Sequence, residues 1–173
     1  MATTLYIMRH GETEENVKHI LQGILPGQLT QLGRRQARET AQAHLASLHI
    51  DALVASDLRR CRQTVDEILP FLPAGLTPIY TPLLREKDWG SATGKVIRPG
   101  HPIQLPDDME TMEHTRERAR EFLEWAKTHY EGRQVLVVSH GFFLRVMQCV
   151  HFGRAMADVV PMQNAEVRTL EIG

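Results

Sequence analysis

Short apolar runs alternate with longer amphipathic segments along the chain, and this alternation predicts an α/β domain. Three runs of strand length are Thr4–Met8, Ala52–Ala55 and Val135–Ser139, and none is long enough to cross a bilayer. Strands joined by helical crossovers form parallel sheets. We therefore expect a three-layer sandwich with a mainly parallel central sheet and helices on both of its faces.

The amphipathic segments have apolar positions at helical spacing, which predicts four helices. Their ranges are Thr30–Leu48, Ser56 to about Leu69, Thr111–Tyr130 and Phe142–Phe152, with Thr30 and Ser56 as N-caps. In the first helix the inward positions are Leu32, Ala37, Ala41, Leu45 and Leu48. Two further strands are predicted at Thr77–Tyr80 and, as an antiparallel edge strand, at Glu166–Ile172. Residues 97–108 contain three prolines and read as a loop.

Composition and charge narrow the class of protein. The 173 residues predict one domain spanning 1–173, and a net charge of −1 argues against a nucleic-acid partner or a polybasic membrane-surface protein. The N-terminus has no signal-peptide pattern, and Cys61 and Cys149 form no CxxC pair, so we expect a cytoplasmic, reducing location. No Cys/His cluster has zinc spacing, so we expect no metal site. We also expect no other cofactor.

Two predicted strands end in the same dipeptide, His10-Gly11 after the first and His140-Gly141 after Val135–Ser139. Parallel strands end at the same edge of a sheet, where loops form the usual binding crevice. If these two strands are neighbours, both imidazoles face one pocket. A histidine at a single strand end is more often a hydrogen-bonded structural residue, so the pair carries the argument.

Arginines gather at that same edge. Ala52–Ala55 leads into the segment SDLRRCRQT, which places Arg59, Arg60 and Arg62 in the first turns of a helix, and Arg9 stands beside His10. A helix N-terminus favours anions, and a guanidinium binds phosphate oxygens through two parallel hydrogen bonds. Arginines at a helix start are often only a solvated surface, but two histidines at the same edge favour an oxyanion site.

Several motifs, in their order along the chain, resemble those of the histidine phosphatase superfamily, the phosphoglycerate-mutase-like proteins. They are RHGETEEN (residues 9–16), QG at 22–23, LT..G..QA at 29–37, SDLRRCRQT from residue 56, LLREKDWGSATG from residue 83, ETMEHTRER with Glu110 and Arg118, and VVSHG ending at Gly141. They span residues 4–141. The similarity is to the phosphatase branch of the superfamily.

The resemblance implies phosphoryl transfer through a phosphohistidine, without a metal, in an enzyme of the histidine acid phosphatase type. His10 is then the nucleophile, Glu86 the general acid, and Arg9, Arg60 and His140 the cationic or hydrogen-bonding donors. On local sequence alone Glu86 would be a solvated loop carboxylate. The substrate-binding candidates are Thr13, Asn16, Gln22, Gly23 and Gly141, whereas Arg59 and Arg62 are expected to point away.

Some positions depart from the family pattern. Pro26 and Gln28 stand where relatives usually have Asp and Pro, Cys61 replaces Ala, and Met109 replaces Gly. None of these changes removes a catalytic group, but those between Gly23 and Thr30 are expected to reshape the substrate side of the pocket.

Three functions stay open. The short, open segment between Gly94 and the next helix favours a phosphomonoesterase acting on a small phosphorylated metabolite over a phosphoglycerate-type mutase, since an open pocket admits water. The third possibility is a phospho-ligand binding or regulatory module with little turnover. Sugar phosphates, a nucleotide-loop phosphate and phosphoproteins are all candidate substrates. The sequence sets neither the substrate nor the oligomeric state.

Overall fold

A computed structural model describes residues 1–173, and it contains five strands and five α-helices. In chain order the elements are β1 (Thr3–Arg9), α1 (Glu14–Val17), α2 (Gln31–Thr40), β2 (Ala52–Ser56), α3 (Arg59–Ile68), β3 (Ile79–Thr81), α4 (Met112–His129), β4 (Gln134–Ser139), α5 (Gly141–Phe152) and β5 (Val167–Ile172). A π-helical segment, Ala41–Leu45, continues α2. No helix combines the length and the hydropathy needed to cross a membrane.

The strands form one sheet in the order β3-β2-β4-β1-β5. All neighbouring pairs are parallel except β1 with β5, which is antiparallel at the edge. In the centre Arg9 pairs with Ser139. The residues that follow these two strands, His10 and His140, therefore leave the sheet side by side at its carboxyl edge.

Side chains alternate between the two faces of the buried strands, and each face has its own apolar core. Val135 and Val137 of β4 join the core covered by α4 and α5, together with Phe122 and Phe143. Leu136 and Val138 join the opposite core, which α2 and α3 cover. This arrangement confirms the predicted α/β sandwich, its mainly parallel sheet and its antiparallel edge strand.

Several local predictions need correction. Leu32 is exposed, because the buried face of α2 is set by Gly33 and Ala37 instead. The α-helix also ends at Thr40 rather than continuing to residue 48. The strand predicted at Thr77–Tyr80 begins two residues later and spans Ile79–Thr81, because only these residues pair with β2.

Ser56 does not cap the following helix. It is the last residue of β2, and the N-cap position of α3 belongs to Leu58, which has no capping side chain. The short helix α1 was not predicted. It is held by a capping box in which the Thr13 hydroxyl accepts from the Asn16 backbone and the Asn16 side chain accepts from the Thr13 backbone.

Candidate active site

A cavity of about 590 Å³ lies at the carboxyl edge of the sheet, beside the ends of β1 and β4. That volume is in the range of small-molecule sites. The cavity is lined by Arg9, His10, Asn16, His19, Ile20, Leu21, Gln22, Gly23, Arg60, Glu86, Trp89, Ile97, Arg98, Pro99, Gly141, Phe142, Arg145, Pro161 and Met162. Eight of the ten residues predicted for the site are among them; Thr13 and His140 are not.

His10 presents one ring nitrogen to the cavity. Its Nδ1 lies 2.7 Å from the Gly11 carbonyl oxygen, so Nδ1 carries the hydrogen and donates it, and Nε2 keeps a free lone pair. Burial lowers the pKa of His10 well below its usual value of 6.5, and the positive charges of Arg60 and Arg9 lower it further. His10 is therefore an uncharged imidazole at neutral pH, with a nucleophilic nitrogen facing a cationic pocket.

Arg9 lies across the first turn of α5. Its Nη1 donates to the Met162 carbonyl at 2.7 Å, while its buried Nε has no protein partner. A Cβ added at Gly141 would stand 2.9 Å from this Nε and 3.1 Å from the guanidinium carbon. A glycine at residue 141 thus makes room for the arginine against the helix start.

Arg60 is fully buried, and each of its three guanidinium nitrogens donates one hydrogen bond to the protein. Its Nη2 donates to the Gly23 carbonyl at 2.7 Å, its Nη1 to the Leu25 carbonyl, and its Nε to Nδ1 of His140 at 3.1 Å. The guanidinium therefore ties the segment Gly23–Leu25 to the end of β4. It still borders the cavity and places a positive charge beside His10.

His140 lies behind Arg60 rather than on the cavity wall. Its ring centre is 5.4 Å from that of His10, and its Nε2 is 2.8 Å from the Ser56 hydroxyl. The Cys61 sulfur is 3.5 Å from the same nitrogen. Burial lowers the pKa of His140 well below 6.5, and Arg60 adds to this effect. In this arrangement both ring nitrogens are occupied by protein groups.

The Glu86 carboxylate sits at the N-terminus of α5. Its oxygens accept from the backbone N–H groups of Phe142 at 3.1 Å and Phe143 at 2.8 Å, and from that of Lys87 at 3.0 Å. An acidic group is favoured at a helix N-terminus because of the dipole and the unpaired N–H groups there. These bonds hold the carboxyl on the same wall as Arg9 and His10.

Arg118 of α4 anchors the backbone of the segment that contains Glu86. It donates to the carbonyls of Leu83 at 2.9 Å and Arg85 at 2.7 Å, and it pairs with Glu110 at 2.9 Å. The Glu110 carboxylate in turn accepts from the Asp88 backbone N–H at 3.2 Å. The largely buried pair therefore fixes the backbone on both sides of Glu86.

The predicted substrate-binding residues divide into two groups. Asn16, Gln22, Gly23 and Gly141 line the cavity. Thr13 is fully buried, and its hydroxyl accepts from the Gln22 side chain and the Asn16 backbone, both at 3.0 Å. Thr13 thus orients two residues of the wall without reaching the cavity itself.

Two glycines bring the loop that follows β1 and carries His10 against α2. A Cβ added at Gly11 would lie 2.9 Å from the Gly33 carbonyl carbon, and one at Gly33 would lie 2.8 Å from the Glu12 nitrogen. The backbones therefore touch directly. This contact presses the loop that carries His10 onto the start of a helix.

Much of the outer wall was missed by sequence reasoning. Trp89 and Phe142 form an edge-to-face pair with ring centres 5.1 Å apart. His19 has a left-handed backbone with φ of 56°, which is uncommon for a residue other than glycine. A left-handed conformation gives no strong sequence signal, and loop residues such as Arg98 show no periodicity. Arg59 and Arg62 do not line the cavity, in keeping with the prediction that they point away.

No cluster of three or more His, Cys, Asp or Glu side chains is arranged to hold a metal ion. The positive charge at the site is supplied by arginine side chains, which are suited to phosphoryl oxygens.

Comparison with known proteins gives a consistent result. The family model for the histidine phosphatase superfamily (branch 1) matches residues 5–173. A probable phosphatase of Schizosaccharomyces pombe is 31% identical over 157 residues, covering 86% of this chain and 72% of the relative. A probable phosphoglycerate mutase of an Enterobacter species is 32% identical over 159 residues, covering 81% and 70%.

The structural comparison agrees. The native structure of a mycobacterial glucosyl-3-phosphoglycerate phosphatase superposes with a TM-score of 0.82 at 26% identity, covering 99% of this chain and 91% of that one.

Proposed function

This chain belongs to the histidine phosphatase superfamily, and on that premise we propose that it is a metal-independent phosphomonoesterase of the histidine acid phosphatase type, acting on a small phosphorylated metabolite. The observation that carries the proposal is the state of His10. The ring is buried and uncharged, its Nδ1 is held by the Gly11 carbonyl, and its Nε2 is free at a cavity lined by arginines. The predicted cytoplasmic location belongs to the same proposal.

In the first step His10 Nε2 attacks phosphorus, a P–N bond forms and the ester P–O bond breaks. The departing alcohol oxygen takes a proton from the Glu86 carboxyl, which lies on the same wall. Arg9 and Arg60 stabilise the negative charge on the equatorial phosphoryl oxygens. His140 holds Arg60 through the 3.1 Å bond to its Nε, and Gly141 keeps Arg9 against the helix start.

In the second step water attacks the phosphohistidine. Its proton passes to the Glu86 carboxylate, the P–N bond breaks, and inorganic phosphate leaves with His10 restored. The exposed loop residues Ile97, Arg98 and Pro99 form one wall of the cavity, so water has access to the intermediate. That access supports hydrolysis over transfer to a second hydroxyl. The relatives that are named mutases keep isomerisation as the competing function.

The test is release of inorganic phosphate from para-nitrophenyl phosphate by the native chain, by His10→Ala and by the control His44→Ala. His44 is an exposed histidine outside this cavity. We expect a loss on the order of 10³-fold or more in His10→Ala and none in the control. A phosphoryl adduct on His10, trapped by alkaline quenching and located by mass spectrometry, would identify the intermediate.

Any one of three results would overturn the proposal. Equal turnover by the native chain and His10→Ala would remove His10 from the reaction. Net isomerisation of a phosphoglycerate without phosphate release would assign the chain to the mutases. Tight phosphate binding with no turnover would instead assign it to the phospho-ligand binding modules.

A further inference from the structure

The charge on the cavity wall exceeds what one phosphoryl group requires. Four arginines (Arg9, Arg60, Arg98 and Arg145) and one carboxylate, Glu86, line the cavity. With Glu86 ionised, four cations against one anion leave three positive charges in excess, and protonation of Glu86 for its role as general acid leaves four. A phosphomonoester carries about 1.5 to 2 negative charges at neutral pH, so at least about one positive charge remains unbalanced when the phosphoryl group is bound.

The arginines differ in how their donors are used. Arg9 donates to Met162, Arg60 to two carbonyls and His140, and Arg145 to the carbonyls of Val159 and Met156. Arg98 is exposed and has neither a side-chain hydrogen bond nor an ion pair. Of the four, it is the one whose whole guanidinium is available to a ligand.

Backbone hydrogen bonds hold the segment that precedes Arg98 in place. The Ile97 N–H donates to the His19 carbonyl at 2.8 Å, and the Leu21 N–H donates to the Lys95 carbonyl at 2.9 Å. Residues Ile20 and Val96 form an antiparallel bridge between these bonds. The two segments therefore make a short paired extension that brings His19 and Arg98 to the same wall of the cavity.

Part of the cavity wall is apolar. Trp89, Phe142, Ile20 and Ile97 line the cavity together with the arginines. A single phosphate would fill only a small part of about 590 Å³. The remaining volume suits a compact carbon skeleton that carries a further polar group.

We propose that Arg98 and His19 form a subsite for a second anionic group of the substrate, so that this chain prefers phosphomonoesters that also bear a carboxylate or a second phosphate. The inference rests on the proposed phosphomonoesterase function. To that function it adds a second anionic group on the substrate and the two side chains that recognise this group.

The test compares phenyl phosphate with 4-carboxyphenyl phosphate, which share a ring and differ in the second anion. The quantity measured is the ratio of their kcat/KM values in the native chain, Arg98→Gln and His19→Asn. Asparagine keeps the backbone conformation of residue 19 accessible while removing the imidazole. The control is Lys95→Gln, an exposed cation of the same segment that does not line the cavity.

We expect Arg98→Gln to lower the preference for the carboxylated ester roughly three- to fivefold, the size typical of an exposed charge pair. The preference should also weaken at high salt and should be unchanged in Lys95→Gln. The same comparison with an ester that bears a second phosphate in place of the carboxylate shows for which of the two anions the preference depends more strongly on Arg98. An unchanged preference in both Arg98→Gln and His19→Asn would overturn the subsite.

Failure of the subsite and failure of the proposed function give different results. If native protein hydrolyses phenyl phosphate but the variants keep the native preference, only the subsite is wrong. If neither ester is hydrolysed, calorimetry with the corresponding non-hydrolysable phosphonates still measures the preference. Tighter binding of the carboxylated phosphonate that is lost in Arg98→Gln supports the subsite; equal binding of the two phosphonates to the native chain overturns it.

Discussion

Arg60 donates from Nε to Nδ1 of His140 across 3.1 Å. A guanidinium has no acceptor, so the imidazole must offer its lone pair at Nδ1 and carry its hydrogen on Nε2, which faces the Ser56 hydroxyl at 2.8 Å. One hydrogen bond thus fixes both the tautomer and the charge of His140. A second proton on this ring would point a buried N–H at a cation.

The two buried histidines predict how stability changes with pH. In the folded chain the pKa values of His10 and His140 lie well below 6.5, and in the unfolded chain they return to about 6.5. The unfolded state therefore binds protons first as the pH falls. Their contribution to stability is complete above about pH 6.5 and decreases below it, by about 1.4 kcal/mol per pH unit for each ring, until the folded pKa is reached.

Urea unfolding between about pH 7 and pH 5.5 measures this slope. His140→Asn removes one of the two rings, so the part of the slope due to these rings should fall by about half, whatever the variant does to stability at neutral pH. A slope that is the same in the native chain and the variant would contradict a neutral, buried His140.

Gly141→Ala should separate activity from stability. The added Cβ would stand 2.9 Å from Arg9 Nε, and a side chain can move away where a backbone cannot. Alanine is also a good residue at a helix start. We expect kcat/KM to fall roughly 10- to 100-fold, as for loss of one phosphoryl-oxygen donor, with a melting temperature close to native. Full activity in this variant would show that Arg9 has no part in the reaction.

Gly33→Ala should affect folding itself. The new Cβ would lie 2.8 Å from the Glu12 nitrogen and closer still to its carbonyl oxygen, so the backbone of the loop that carries His10 must move. We expect the free energy of unfolding to decrease by about 3 kcal/mol, at the upper end of overpacking effects. Arg35→Ala, an exposed change on the same helix, is the control and should change it by less than about 0.5 kcal/mol.

Arg118→Met tests the support under Glu86. The Arg118 and Glu110 side chains are only 12% and 8% exposed, so removing one partner leaves a charge largely out of water. We expect a loss of about 2–3 kcal/mol of stability, together with reduced kcat because the Glu86 backbone loses its anchors. Chemical denaturation and steady-state kinetics measure the two effects.

The control lies two residues along the same helix. Arg120 pairs with Glu113 on the surface, with side chains 52% and 62% exposed. Arg120→Met should cost less than about 1 kcal/mol and leave turnover unchanged. Equal losses in the two variants would mean that burial of the Arg118 pair is not what matters.

The sequence predicted that His10 and His140 each follow a strand end, and that both face one pocket if those two strands are neighbours. Each strand is followed at once by its His-Gly pair, and parallel neighbours end at one edge, so adjacency of β1 and β4 places His10 and His140 together. The cores on both faces followed from the same alternation of apolar positions. The adjacency of β1 and β4 joins residues far apart in the chain, and only the structure shows it.

The partners of Arg60 could not be predicted in this way. Its hydrogen bonds to Gly23 and Leu25 join residues more than thirty positions apart through backbone carbonyls. Because every residue has the same backbone carbonyl, the sequence does not show which one will accept a hydrogen bond. The cavity wall formed by His19 and Ile97 could not be predicted for the same reason, since a backbone hydrogen bond joins these two residues. Thr13 illustrates a second limit, since the sequence does not distinguish a threonine on a pocket wall from one buried beneath it.

The contact between the end of β1 and the residues before β5 has a consequence for biosynthesis. The Ala165 N–H reaches the carbonyls of Arg9 and His10 at 3.0 and 3.1 Å, and Asn164 donates to the His10 carbonyl at 3.2 Å. The ribosome makes His10 before these clamping residues, which follow it by more than 150 positions in the chain. In a nascent chain the backbone at His10 therefore stays without these hydrogen bonds until residues 164 and 165 have been made.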